Sequence, residues 1–169
     1  SGSWSTHGNS GMFENSTELK AMYMDNLAYN HQGNVLIANE LKLAGRKNPD
    51  PILKYCLMYE HLLEKGFIDK EAKFLLLFIG GDALKQNKQT LVDRELALCH
   101  KRPRKYQHLL RPELLEIVDH LEVASITWSA LIEFNNRYLA ENDTCQVEQK
   151  LLRGFHQSLE SKSFMQLAV

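Results

Sequence analysis

The chain has 169 residues, 44% of them hydrophobic and 24% charged, and its 20 basic against 21 acidic side chains leave a formal charge of −1. That length suits one domain with a continuous core. Near-neutrality excludes a global field drawing the molecule to nucleic acid or an anionic membrane, so any such binding must come from a local patch.

Residues 1–11 lack the basic start and apolar middle of a signal peptide and read as a vector-derived remnant or a disordered tail. A helical domain is expected over 12–160, followed by a C-terminal tail over 161–169. Asn15 and Glu18 have capping-box spacing, and Leu19, Met22, Tyr23 and Leu27 follow at helical intervals, which predicts a helix over 17–31. Gly33-Asn34 bends or interrupts it, and "VLIANELKLAG" continues as helix to Gly45. Asp50-Pro51 opens a helix over 51–65. Asp69 caps a strongly apolar helix from Lys70 to Ile79, expected at the centre of the core against Leu62, Trp128, Leu131 and Phe155.

Thr90 and Asp93 begin a helix to about Cys99, and Pro103 begins a short basic helix that Arg111, preceding Pro112, should end. From Pro112 to Leu139 no breaker occurs, which predicts one helix of roughly 40 Å. Asp143 and Gln146 mark a last helix with Val147, Leu151, Leu152 and Phe155. The expected fold is therefore all-α, a single-domain bundle of about six to eight helices with one long helix near 112–139.

Chemistry is sparse. Cys56, Cys99 and Cys145 form no C-x-x-C pair, so neither a disulfide framework nor a zinc knuckle is expected. Phosphate-binding glycine loops and the nucleophile elbow are missing, as are paired Glu-x-x-His turns. No cofactor, no metal and no catalytic set is expected. The longest apolar run, residues 74–79, is far below the roughly 20 residues that span a bilayer, so no membrane partner and a cytoplasmic location are expected.

One local feature stands out. Lys101, Arg102, Arg104, Lys105 and Arg111 lie in a stretch without an acid, and Glu113, Glu116, Asp119 and Glu122 follow without a basic residue. In a helix, Arg104, His108 and Arg111 would share a stripe suited to a phosphate backbone, with Tyr106, Leu109 and Leu110 turned inward. The bland alternative is a solvated face pairing with the following acids. Arg102 and His108 also form an Arg-x5-His arrangement that resembles the motif of the HEPN family of helical-bundle ribonucleases, Arg-x4–6-His. The resemblance covers seven residues and implies metal-independent RNA cleavage at a dimer interface, with Arg102 on phosphate and His108 as acid or base. Pro103 stands where that family usually has a polar residue.

The leading functional expectation is a non-catalytic interaction or regulatory protein that binds a protein partner or self-associates, on the strength of the long 112–139 helix and the apolar tail residues Phe164, Met165 and Leu167. A nucleic-acid-associated regulator using 100–111 is the alternative, and the HEPN-like ribonuclease a minor third.

Overall fold

In a computed structural model the described residues are 4–7, 19, 25–42, 51–80 and 87–161. The chain is α/β and not an all-helical bundle. Five strands lie in chain order across one sheet: β1 (Trp4–His7), β2 (Asn26–Asn30), β3 (Val35–Lys42), β4 (Lys73–Gly80) and β5 (Leu121–Thr127). The mixed core of the sheet is β2 to β5: β2 and β3 form an antiparallel hairpin, and β3, β4 and β5 run parallel. Trp4–His7, set aside above as part of a tail, pair antiparallel with β2. The helices are α1 (Pro51–Glu64), α2 (Lys88–Lys101), α3 (Pro103–Tyr106), α4 (Pro112–His120), α5 (Trp128–Glu141) and α6 (Gln146–Ser161). Residues 17–18, 20–24 and 43–45 of the expected early helices lie outside the described residues.

Each strand mistaken for helix has a physical reason. In β2, Leu27 and Tyr29 are buried and alternate with half-buried neighbours, as Leu36, Ala38 and Glu40 do in β3. That is the period of a pleated strand. Gly33-Asn34 does not bend a helix but closes the hairpin: Asn34 has φ 49°, and Asn30 Oδ1 accepts from the Gly33 N–H at 2.7 Å. The run 74–79 is central, as expected, but it is a strand. Phe74, Leu76 and Phe78 enter the main core, while Leu77 and Ile79 pack on the other side with Ile126, Trp128, Leu131 and Ile132. A parallel strand covered on both faces reads as an unbroken apolar run. Phe155, expected in this core, is partly exposed.

The single 112–139 helix is three elements. Residues 121–127 join β4 in a parallel ladder from Phe74↔Leu121 to Gly80↔Thr127. The Lys88 ammonium closes the end of α4 by donating to the Val118 and Leu121 carbonyls at 2.9 and 2.8 Å. Thr127 opens α5, its hydroxyl accepting from the Ala130 N–H at 3.1 Å.

The orientation of α1 positions the site described next. Near one end, the Tyr55 hydroxyl donates to Glu40 Oε2, close to the carboxyl end of β3, at 2.6 Å. Further along, Tyr59 donates to the Ala72 carbonyl at 2.6 Å and stacks on Phe74 at 5.0 Å, beside the start of β4. The helix therefore runs against the strands, with its N-terminus at their carboxyl edge. There the buried Glu95 of α2 accepts from the Ile52 N–H (3.1 Å to Oε2) and the Leu53 N–H (3.2 Å), satisfying donors that the first turn leaves open.

Candidate functional site

Asp25, just before β2, and Glu40, near the end of β3, both act on the Tyr55 hydroxyl at the open end of the β2–β3 pairing. Asn26 pairs with Asn39, and their side chains hydrogen bond at 2.9 Å. The ladder begins at that pair, with Asp25 just ahead of it in the chain. Asp25 is exposed, and its Oδ2 accepts from the Leu41 N–H at 2.6 Å, which holds it against β3. Glu40 is only 7% exposed.

Burial at that level demands a partner, because a desolvated carboxylate without one is costly. The Tyr55 hydroxyl is one. Burial first, then the hydrogen bond to Glu40 and the negative charges of Glu40 and Asp25, push the Tyr55 phenol far above the usual tyrosine value. Tyr55 therefore remains a hydrogen-bond donor throughout the ordinary pH range. That both acids act on one hydroxyl places them in one electrostatic neighbourhood. Lys42 follows two residues on, in register with Gly80 of β4.

Glu40 lies two residues from the carboxyl end of β3, near the edge where open α/β sheets characteristically bind ligands. Among the described residues no group of three or more His, Cys, Asp or Glu side chains forms a ready-made ion cage. A two-carboxylate site is nonetheless the kind Mg2+ uses, since that ion keeps several waters and takes its remaining ligands from substrate phosphate. A separate cleft of about 430 Å3, lined by Tyr59, Lys70, Glu113 and His120 among others, lies beside Ala72, away from the carboxylates. Its two lysines, Lys70 and Lys73, are outnumbered by three glutamates, Glu71, Glu113 and Glu116, which does not favour an anionic ligand.

The residues singled out from sequence lie elsewhere and divide into two groups. Lys101, Arg102, Arg104 and Lys105 are exposed around the corner between α2 and α3, with the Lys105 ammonium 4.9 Å from the Tyr106 ring centre. Arg111 is committed to an ion pair with Glu60 of α1. The solvated-face alternative placed its partners in the following helix, but this one comes from an earlier element. Tyr106 and Leu109 are buried and Leu110 half-buried, as the stripe requires, although the segment is a four-residue helix followed by a 3-10 turn over Gln107–Leu109. Arg102 forms the corner itself, and His108 is half-buried in the 3-10 turn.

Sequence reasoning missed Asp25 and Glu40 because it placed both in helices. The available signal was parity: once Leu36 and Ala38 are read as a strand's inward positions, Glu40 is a carboxylate on an apolar face. No helix among the described residues is long and apolar enough to cross a membrane. No family model, curated protein or solved structure matches the chain.

Proposed function

We propose that this chain is a divalent-cation-dependent phosphodiesterase acting on nucleic acid, with Asp25 and Glu40 as the cation-holding carboxylates. The observation that carries the reading is that both acids act on the Tyr55 hydroxyl near the carboxyl edge of the sheet, Asp25 accepting from the Leu41 N–H and Glu40 from that hydroxyl. Such outer hydrogen bonds fix ligand orientation in metal sites.

A bound Mg2+ or Mn2+ supplies Lewis-acid polarisation of a phosphoryl oxygen and a more acidic water. The protein's own contribution is geometric and electrostatic. Asp25 and Glu40 would hold the ion, and the Tyr55 hydroxyl donates to Glu40 Oε2. The exposed cations at 101–105 hold the backbone of the polymer, a contact that positions without specifying sequence.

This reading takes up the nucleic-acid alternative and adds chemistry to it. The HEPN-like reading presupposed an all-helical chain, a premise the α/β fold removes. The protein-partner reading loses the long 112–139 helix that supported it, and the surface that still favours association is treated below.

The test is cleavage of linear duplex DNA, single-stranded DNA and RNA with Mg2+ or Mn2+. Cleavage is expected in at least one case, abolished by EDTA, and reduced at least about 100-fold in Asp25→Asn and Glu40→Gln. A folded wild type inert on all three polymers with both metals overturns the proposal.

A further inference from the structure

α6 turns the wrong side to its own protein. Gln149, Leu152 and His156, at helical spacing, form its half-buried seam, whereas Val147 (65% exposed), Leu151 (68%) and Phe155 (36%) point outward. α5 adds Phe134 at 62% and Tyr138 at 39%. A surface helix ordinarily buries its apolar stripe and exposes the mixed one. From this inversion we infer that α6, with the adjoining face of α5, is the interface of a two-fold homodimer.

Three observations select a second copy as the occupant. The first is area: at ~150–250 Å2 for a large side chain, the exposed parts of these five residues amount to roughly 500 Å2 per copy. Fully covered in two copies, they contribute about 1,000 Å2 of apolar surface, the floor that a biological interface clears before its polar rim is added. The second is symmetry. Val147 and Phe155 stand four residues either side of Leu151, so an antiparallel crossing of two α6 helices at Leu151 sets Val147 of one copy against Phe155 of the other. A small residue then meets a large one twice, as the self-complementary patch of a two-fold contact requires.

The third is Gly154, in the interior of α6 and bordering the stripe. Glycine is among the poorest helix formers. A Cβ placed there meets nothing within 4 Å among the described residues, so nothing described in this chain requires its absence. Close approach of a second helix does.

The inference is independent of the proposed activity, and its readout is mass. Sedimentation equilibrium or light scattering from about 1 to 100 µM should give twice the chain mass of 19.5 kDa. Leu151→Glu should weaken association at least about 100-fold, the range of a central anchor. Gly154→Leu should also dissociate the dimer while raising helix content, because the substitution favours the isolated helix and obstructs only the crossing. Both variants should keep a cooperative thermal transition. A wild type that remains monomeric at about 100 µM overturns the inference, as does a dimer that survives Leu151→Glu and Gly154→Leu unchanged.

Discussion

Single buried side chains here do the work of joining elements. Glu95 caps a helix on another segment, Lys88 closes the end of a third, and Tyr55 fixes an acid on the neighbouring strand. None of these roles was legible in sequence, because each partner is between 15 and 43 residues away. The fate of the cysteines was easier to read: the helical spacing of Ile52, Cys56 and Tyr59 places the thiol on an apolar face, and Cys56 is fully buried while Cys145 is exposed. Burial pushes the Cys56 thiol and the Tyr55 and Tyr59 phenols upward. In the unfolded chain the same groups ionise near pH 8.5 and 10. Below about pH 8.5 both states keep these protons and the groups leave stability unchanged. Above it the unfolded state releases protons that the fold retains, so unfolding becomes easier as pH rises, by about 1.4 kcal/mol per pH unit for each group once it is ionised. Urea unfolding at pH 7 to 11 should show a plateau and then a fall beginning near pH 8.5. Cys56→Ala should flatten the first part of that fall; an unaltered onset in the variant would assign it to other groups.

At the scale of elements, the sequence is most legible where local chemistry and tertiary structure agree. The helix at 51–64 and the stop at Arg111-Pro112 follow from prolines and spacing, whereas the helix expected to open at Thr90 starts at Lys88, with Asn87 as its cap accepting from the Thr90 N–H. Strands were lost wherever a short apolar run has no breaker. Residues 74–79 fit a buried helix turn and a buried strand equally, and only parallel pairing with β3 and β5 decides between them. The 112–139 stretch was misread for a related reason: Leu114, Val118 and Leu121 keep helical spacing across the true boundary, so the ladder to β4 overrides a pattern that is locally sound. The next boundary, from β5 to α5, is marked by a capping residue, Thr127, with no glycine or proline beside it. Its cap has a measurable worth. Thr127→Ala removes the acceptor for the Ala130 N–H and should lower stability by about 1 kcal/mol, whereas Thr127→Ser should retain most of it. Equal midpoints for Ala and Ser variants in chemical denaturation would show that β5 pairing alone sets where α5 begins.

Across the whole molecule, the course of α2 carries the basic corner past the N-terminus of α1. That helix starts with Lys88 bonded to carbonyls at the amino end of β5, passes the α1 N-terminus at Glu95, and continues six residues to Lys101, about 9 Å further at 1.5 Å per residue. Lys101, Arg102, Arg104 and Lys105 are thus carried past the N-terminus of α1. Binding and chemistry should separate accordingly. With Arg111 engaged by Glu60, four exposed cations remain in the stretch. At about 0.9 counterions released per phosphate contact, binding to duplex DNA should follow salt with a slope of roughly −3.6, a loss of about 100-fold in affinity between 50 and 200 mM. Asp25→Asn, measured so that no strand is cut, should bind with that same slope. Arg104→Glu with Lys105→Glu should reduce the slope to about −1.8 and weaken all sequences alike, since phosphate contacts carry no sequence information. Its unfolding midpoint should remain near that of the wild type, because exposed charges contribute only about 0–1 kcal/mol. A double variant that binds as tightly as the parent at every salt concentration would remove the basic corner from the binding surface and leave the carboxylate site to be tested by cleavage alone.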